Sequence, residues 1–403
     1  MKPLPTTTIL AATTALFAGP AFAPAHAQGG DFQSCLQTIK SEATRQGVSA
    51  AIVDGAFRNL TPDQKVVDLD SRQPEFSLTY AKYVGSTVSN DRIVKGQQRL
   101  AQHRALLDQL QAEYGVPPQY IMAFWGIETN YGGFMGDFQV VRSVATLACT
   151  TKRRDFFSNE TVQALRILAM NHMTREQMRG SWAGAMGNMQ FMPSTFMKWG
   201  VDRTGDGRID LWNSLPDAFA SAANFLRGIG WKPPLPAAEE VFLPQNFPLD
   251  QADTTVEKPV RAWAQMGVRK AGNAALPNSD EPSSIILPAG HRGPAFILYP
   301  NFKAVMNWNR STLYALSVAI LAQQIAGGPP VMQGPPPDDE PLSRAAIIDM
   351  QNRLTRLTLY TDEVDGLLGP KTRSAVRLYQ KQIGMPADGH PTPEFVRRLQ
   401  QAR

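Results

Sequence analysis

The stretch Met122–Gly133 reads Met-Ala-Phe-Trp-Gly-Ile-Glu-Thr-Asn-Tyr-Gly-Gly, and its single acid, Glu128, closes an apolar run. Pro117 and Pro118 suit the first turn of a helix, and the final Gly-Gly pair ends it. A carboxyl group beside bulky apolar side chains is poorly solvated, so its protonated form is favoured. The stretch therefore predicts a buried helix that carries a general acid. The alternative is a glutamate at a helix end that points into water.

Length and composition narrow the class of protein. The chain has 403 residues, of which 43% are hydrophobic and 19% charged, enough for a large core and more than one domain. The net charge of +5 is modest and the basic residues are scattered. This suits an anionic polymer and does not indicate nucleic-acid binding. Five histidines without metal-pair spacing argue against a zinc enzyme.

The N-terminus has the features of a secretory signal. Lys2 precedes an apolar stretch at 9–22, and Ala25-His26-Ala27 offers a small-residue cleavage site. We therefore expect residues 1–27 to be removed and the protein to be exported to the periplasm. The residue directly after the cleavage site is Gln28 and not a cysteine, so no lipid anchor is expected, and no later stretch is apolar enough to span a bilayer. The alternative is an N-terminal core helix.

Cys35 and Cys149 are the only cysteines in the chain. An even number of cysteines in an oxidising compartment favours a disulfide, here between the N-terminal helix and the segment after the apolar helix. Two buried free thiols are the alternative.

The composition and the hydrophobic pattern of the sequence change along the chain. Apolar residues recur at helical spacing up to about residue 230, proline-rich segments with short apolar runs follow, and a final helix precedes a stretch of prolines and glycines. The predicted regions are a mainly helical catalytic region at 28–326 with a small β-containing insertion at 233–300, a Pro/Gly-rich linker at 327–340 and a small helical module at 341–403.

A second motif lies at 180–193 and reads Gly-Ser-Trp-Ala-Gly-Ala-Met-Gly-Asn-Met-Gln-Phe-Met-Pro. Its glycines allow the backbone to approach a ligand closely or to take a positive φ. Ser181 and Gln190 supply neutral hydrogen-bonding groups, and Phe191 supplies a face on which a sugar can stack. The density of these side chains favours the wall of a groove over a plain glycine-rich loop.

Three segments together resemble the membrane-bound lytic murein transglycosylase B family: Glu-Thr-Asn-Tyr-Gly at 128–132, Ala-Gly-Ala-Met-Gly at 183–187 and Gln-Phe-Met-Pro at 190–193. The resemblance covers roughly 31–326. It implies a mainly α fold, in which a goose-lysozyme-like helical core carries an added helical domain and the small β insertion. It also implies cleavage of the MurNAc–GlcNAc β-1,4 bond of peptidoglycan without water, which leaves a 1,6-anhydro-MurNAc end.

The resemblance also implies roles for individual residues. Glu128 matches the family's single acid/base, and Tyr80 matches a tyrosine near that acid. Asn309 and Tyr314 match further active-site residues. The other positions that match contacts to the substrate are Arg153, Arg154, Ser181 and Gln190.

The chemistry of a single carboxylate agrees with these roles. Ordinary glycosidases use two carboxylates, whereas neither motif contains a second acid. Glu128 can protonate the leaving oxygen and then deprotonate the C6 hydroxyl of the sugar, which attacks the anomeric carbon intramolecularly. The N-acetyl group of the substrate can stabilise the cation, and no cofactor is required. Two alternatives remain open at this point: a muramidase that uses water, and a non-catalytic scaffold that binds the cell wall.

Residues 202–210 resemble the start of an EF-hand loop, with oxygen ligands at alternate positions and a glycine at the sixth. Asn213 takes the twelfth place, where a bidentate glutamate is expected, so the loop is incomplete. The resemblance implies a longer loop that a later acid closes. A weak structural calcium site would then use Asp202, Thr204, Asp206, Arg208 and Asp217. A plain Asx turn between helices is the alternative.

The C-terminal region resembles the peptidoglycan-binding domain type 1, a small three-helix module. The resemblance rests on Val-Asp-Gly-Leu-Leu-Gly-Pro-Lys-Thr at 364–372 and on a second, related Ala-Asp-Gly at 387–389. A tethered module of this kind raises the local concentration of substrate. The expected partners are glycan strands, and cell-wall synthases are further candidates.

Overall fold

The computed structural model describes residues 29–71, 78–170 and 172–402, and the predicted signal peptide at 1–27 lies outside them. Seventeen helices and seven short strands occupy the described part of the chain. None of these helices is both long and apolar enough to cross a membrane.

Six helices form the N-terminal part of the catalytic region. Ser49, Thr79 and Ser89 each cap a helix by accepting a hydrogen bond from the backbone N–H three residues later. The six helices are α1 (Gly29–Arg45), α2 (Ala50–Phe57), α3 (Gln64–Ser71), α4 (Tyr80–Thr87), α5 (Asn90–Gln102) and α6 (Arg104–Tyr114).

The predicted apolar helix is α7 (Pro118–Thr129), and it lies at the centre of the core. Proline occupies its first turn, and Asn130 ends it in the left-handed conformation with φ of 51°. Helices α5 and α14 pack against it. The surrounding helices are α8 (Val140–Thr150), α9 (Arg154–Ala169), α10 (Pro193–Trp199), α11 (Leu215–Gly228), α13 (Pro300–Trp308) and α14 (Thr312–Ile325). A pair of two-residue strands, β1 (Phe138–Gln139) and β2 (Arg179–Gly180), joins two of the loops between them.

The small insertion is an antiparallel sheet with the strand order β4-β6-β7-β3-β5. Its own apolar core centres on the buried Trp263, which lies on the short helix α12 (Val260–Gln265). The strands are β3 (Ala238–Phe242), β4 (Lys258–Pro259), β5 (Arg269–Lys270), β6 (Pro282–Ile286) and β7 (Ala295–Leu298).

Cys35 of α1 and Cys149 of α8 form a disulfide. A small apolar cluster of Phe32, Leu36 and Ala145 packs beside it. The bond therefore fastens the first helix of the described chain to a buried helix of the core.

The C-terminal module consists of α15 (Arg344–Arg356), α16 (Pro370–Gln382) and α17 (Pro393–Gln401) around its own apolar core. Its two related Asp-Gly turns are held in the same way. Gln351 donates to Asp365 and accepts from the backbone of Gly366, and Gln380 makes the same pair of bonds to the 388–389 turn. The internal repeat therefore serves the fold of the module.

The proline-rich segment before the module is docked onto the β insertion. The buried carboxylate of Glu240 accepts the backbone N–H groups of Met332 and Gln333, each at 2.8 Å. The module itself is held by a buried ion pair between Arg377 and Asp253. The linker thus fixes the position of the module, although its composition alone indicated a spacer.

We expect replacement of both cysteines by serine to lower the free energy of unfolding by up to about 4 kcal/mol, because the bond closes a loop of 114 residues. Urea unfolding of the oxidised protein and of the double variant measures the difference. Reductant should lower the midpoint of the wild type and leave that of the double variant unchanged. Equal midpoints for all samples would contradict a stabilising role for the bond.

Candidate active site

Glu128 lies half-buried in the last turn of α7, where two neutral donors meet its carboxylate. Trp308 donates from Nε1 to Oε1 at 3.0 Å. The hydroxyl of Tyr314 donates to the same oxygen. Hydrogen bonds from these donors stabilise the ionised carboxylate without adding a charge.

The turn between α13 and α14 brings these two donors together. Trp308 is the last residue of α13, and Tyr314 lies in the first turn of α14, which Ser311 caps. Asn309 holds the turn, because its Oδ1 accepts the backbone N–H of Ser311 at 3.1 Å. Asn309, Tyr314 and Glu128 therefore belong to one arrangement. Sequence reasoning passed over Trp308, although it stands next to Asn309.

Aromatic packing fixes the indole of Trp308. Its ring centroid lies 4.2 Å from that of Phe124, 5.0 Å from that of Phe225 and 5.4 Å from that of Phe191. Phe191 is only 1% exposed. The prediction that Phe191 offers a face to a sugar is therefore wrong in this structure, because the ring supports Trp308 from within the core.

Tyr314 is 3% exposed, and burial raises the pKa of its hydroxyl well above its usual value. The charge of Glu128 and the hydrogen bond to it raise this pKa further, and Tyr83 contributes a smaller effect in the same direction. The hydroxyl consequently stays protonated, and able to donate, throughout the pH range in which a carboxylate titrates.

The glycine-rich motif folds into a tight loop beside α7. The Oγ of Ser181 accepts the N–H of Ala185 at 3.0 Å. Gln190 has a positive φ of 48°, and its Nε2 donates to the carbonyls of Met135 and Gly187. These bonds connect the loop to the segment that follows Glu128, so the two motifs of the sequence form neighbouring walls.

Asn188 joins this loop to the catalytic helix. Its Oδ1 accepts from Nε1 of Trp125 at 2.8 Å, and its carbonyl accepts the hydroxyl of Thr129 at 2.9 Å. Its Nδ2 donates to the carbonyls of Leu211 and Trp212. The sequence reasoning missed Asn188, although a polar residue between two methionines of the motif was a signal for it.

A second buried acid, Glu160 on α9, has a structural task. Its two oxygens accept the backbone N–H and the hydroxyl of Ser194, at 2.8 and 2.6 Å. Burial raises the pKa of Glu160, and these hydrogen bonds oppose the rise. The carboxylate thus holds the start of α10, at the end of the glycine-rich motif.

The remaining predicted contacts lie apart from the hydrogen bonds described at Glu128. Arg153 pairs with Asp70 and lies over the ring of Phe157, whereas Arg154 is exposed at the start of α9. Tyr80 is 5% exposed and packs against Phe296, and burial followed by the charge of Glu240 raises its pKa.

Helix α4 carries two tyrosines, Tyr80 and Tyr83. Residues of α4 recur on one face at intervals of three to four, so the helix presents Tyr80 and Tyr83 to neighbouring parts of the core. Tyr83 is the one whose charge contributes to the pKa of Tyr314. The role of Tyr80 beside Glu128 stays a prediction, and Tyr83 is a second tyrosine on the same helix.

The loop at 202–217 is held by its own backbone. Asp202 accepts N–H groups of Gly205, Asp206 and Gly207, and the buried Asp217 accepts those at 203, 204 and 210. Arg208 donates its N–H to Asp206, and the hydroxyl of Thr204 donates to Asp202. Within the described ranges, no group of three or more His, Cys, Asp or Glu residues could hold a metal ion. In this structure these residues form an Asx-turn network, in which the carboxylates already accept backbone N–H groups.

Comparison with known proteins identifies the family. Residues 31–323 match the sequence model of the family described as Transglycosylase SLT domain. The chain belongs to this family. Residues 343–399 match the Putative peptidoglycan binding domain.

Individual relatives agree with this assignment. The chain is 30% identical over 251 residues to the membrane-bound lytic murein transglycosylase B of Escherichia coli K12, which covers 61% of this chain and 67% of that protein. The crystal structure of SltB3 from Pseudomonas aeruginosa in complex with NAG-anhNAM-pentapeptide is 41% identical. It covers 92% of this chain and 99% of its own, with a TM-score of 0.88. Escherichia coli Slt35 in complex with calcium is 26% identical, with a TM-score of 0.61 over 74% of this chain and 94% of its own.

These findings confirm the predicted family, the mainly helical fold class and the enzyme class. The protein is a lytic murein transglycosylase that acts on peptidoglycan and carries a C-terminal peptidoglycan-binding domain.

We expect Tyr314→Phe to lower kcat about 10- to 100-fold, because a hydrogen bond to a charged group is lost. The activity optimum should also move to higher pH, since one donor no longer stabilises the ionised carboxylate. Release of soluble muropeptides from sacculi at several pH values measures both effects. Tyr299→Phe is the matched control, because it removes a tyrosine–glutamate hydrogen bond within the β insertion. Similar losses in both variants would contradict a specific role for Tyr314.

We expect calcium to leave the melting temperature of chelator-treated protein unchanged, because amide groups already bond to the carboxylates of Asp202 and Asp217. A ligand that binds only the folded state would raise it. Differential scanning fluorimetry across a calcium titration makes the measurement. A saturable rise that Asp202→Asn abolishes would show that the loop rearranges to bind the ion.

Proposed function

We propose that the protein cleaves the MurNAc–GlcNAc β-1,4 bond by intramolecular attack and leaves a 1,6-anhydro-MurNAc end, with Glu128 as both acid and base. The observation that carries the proposal is the single carboxylate with two neutral donors, Trp308 and Tyr314, on one of its oxygens. Glu128 can lose a proton and regain one while the same two donors stay bonded to its carboxylate.

The first step is protonation of the leaving oxygen. Protonated Glu128 transfers its proton to the glycosidic oxygen as the bond to the anomeric carbon breaks. The carboxylate that results is stabilised by the indole of Trp308 and the hydroxyl of Tyr314. Because burial keeps Tyr314 protonated, this stabilisation is present throughout the cycle.

The second step needs a nucleophile, and we infer from the sequence that the substrate supplies it. Neither the catalytic helix α7 nor the glycine-rich motif at 180–193 contains an acidic residue other than Glu128. A hydrolase of the two-carboxylate type needs a second acid as nucleophile or base. In the proposed route the C6 hydroxyl attacks the anomeric carbon while Glu128 removes its proton. The reaction consumes no water and gains the entropic advantage of an intramolecular step.

The groove beside Glu128 is proposed to hold the sugar so that its C6 hydroxyl reaches the anomeric carbon before water does. Ser181 and Gln190 lie on the glycine-rich loop, which Asn188 fixes to the catalytic helix. Arg153 and Arg154 remain candidates for carboxylates farther along the substrate. The relative SltB3, crystallised with NAG-anhNAM-pentapeptide, supports a muropeptide in this role.

Export and retention at the cell wall complete the proposal. The predicted signal at 1–27 would deliver the protein to the periplasm, where peptidoglycan lies. The C-terminal module would keep the enzyme on its insoluble substrate by raising the local concentration of glycan. Because the linker is docked, the module would present that substrate in a fixed orientation.

We expect the dominant product from purified sacculi to carry a 1,6-anhydro-MurNAc end, because the C6 hydroxyl replaces water. Mass spectrometry of the released muropeptides measures this, since the anhydro product is lighter by one water than the hydrolysis product. Reducing-end MurNAc as the main product would assign a muramidase. The absence of any cleavage would assign a wall-binding scaffold.

Glu128→Gln is the companion variant in the same assay. It keeps the shape of the side chain but cannot exchange the proton, so activity should fall by at least ~10²–10⁴-fold. Binding to sacculi should persist. Glu113→Gln is the control, because Glu113 forms an exposed ion pair with Arg203. A Glu128→Gln enzyme that keeps more than a tenth of wild-type activity would place the acid elsewhere.

A further inference from the structure

A cavity of about 340 Å³ lies where the catalytic region, the β insertion and the C-terminal module meet. Its wall includes Tyr80 and Arg310 from the catalytic region, Thr254 from the insertion and His390 from the module. A cavity of this size is within the range of small-molecule sites. It exists because the docked linker holds the module against the rest of the chain.

The first unusual group in the wall is the carboxylate of Asp339, at the end of the linker. Its side chain is 2% exposed, and neither oxygen accepts a hydrogen bond from any residue that the structure describes. Oδ1 lies 3.3 Å from Nε2 of His390, without hydrogen-bond geometry. A carboxylate removed from water is costly unless donors surround it. The two oxygens of Asp339 accept no described hydrogen bond, although His390 and Arg373 lie near the carboxylate.

The second unusual feature is the pair of arginines in the same wall. The only acceptor described for the Arg373 guanidinium is the carbonyl of Gly389, at 3.5 Å. Burial, together with the charge of Arg377, lowers the pKa of Arg373 to about 10. Arg377 is paired with Asp253, but its Nε is buried without a described acceptor. The charges of nearby carboxylates oppose the shift at Arg373, but both side chains keep N–H groups without a described carboxylate acceptor.

We propose that this cavity binds the zwitterionic end of a diamino-acid side chain in a peptidoglycan stem peptide, where one carbon carries both an ammonium and a carboxylate. Asp339 accepts from the ammonium, and Arg373 with Nε of Arg377 donates to the carboxylate. The inference rests on the proposed function, because stem peptides that contain meso-diaminopimelate present this group on the substrate.

Charge matching selects this ligand over simpler ones. A phosphate or a sugar acid would pair with Arg373 but would be repelled by Asp339. A lone ammonium, such as that of a lysine side chain, would pair with Asp339 and leave the guanidinium groups without an acceptor. A group that carries both charges can pair with Asp339 and with Arg373 at the same time.

Isothermal titration of the full chain with two tetrapeptides tests the proposal. One carries meso-diaminopimelate at its third position, and the other carries L-lysine there, so they differ by one carboxylate. The first should bind at least ~10-fold more tightly, because charge-assisted hydrogen bonds to Arg373 are lost with the second. Free meso-diaminopimelate that binds as tightly as its tetrapeptide would assign the cavity to the free amino acid and overturn the stem-peptide assignment.

Asp339→Asn and Asp338→Asn form a matched pair of variants. Asp338 is the exposed neighbour, and it pairs with Arg292. Asp339→Asn should weaken binding of the meso-diaminopimelate tetrapeptide at least ~10-fold and should raise the melting temperature of the free protein, because it removes a buried charge whose oxygens accept no described hydrogen bond. Asp338→Asn should leave the affinity unchanged.

The proposal is overturned if the wild type shows no binding at millimolar tetrapeptide, if both tetrapeptides bind equally, or if the two variants behave alike. These outcomes are independent of catalysis, because they are measured by binding alone. Failure of the proposed function would appear instead in the products that the wild type releases from sacculi.

Discussion

The hydrogen bonds from Trp308 and Tyr314 to one oxygen of Glu128 are the constraint on which the site depends. They join Glu128 to two residues that follow it in the chain by 180 and 186 positions. Both donors are neutral, so they stabilise the carboxylate without preventing its protonation. The turn from α13 to α14 places both donors against the same ring, because Trp308 and Tyr314 each pack on Phe124.

Much of the surrounding structure serves to keep that constraint in place. Phe191 and Phe225 enclose the indole of Trp308, so the ring has little freedom to turn away from the acid. Asn188 satisfies polar groups of the catalytic helix and of two loops within the core. A buried amide with all its hydrogen bonds made is rigid, whereas a partly bonded one would be costly. The glycine-rich loop is thereby fixed relative to Glu128.

The C-terminal module extends this organisation beyond the catalytic region. The ion pair of Arg377 with Asp253 and the hydrogen bonds of the linker to Glu240 hold the module, so they fix its position on the β insertion. Its buried charges fall into two groups. Those at the contact with the insertion are joined by hydrogen bonds, whereas the oxygens of Asp339 accept no described hydrogen bond and Arg373 donates only to a carbonyl. This difference distinguishes a docking contact from a site that can take a ligand.

The sequence by itself determined the catalytic helix, the glycine-rich loop, the position of Glu128 and the two Asp-Gly turns of the module. These features follow from spacing, from proline and glycine positions and from local hydrogen bonding, all of which act within a few residues. Only the tertiary structure decided that Phe191 is buried, that Trp308 donates to Glu128 and that the linker is docked. Those outcomes depend on contacts between residues far apart in the chain, and the local pattern of a sequence does not encode which distant side chain fills a given space.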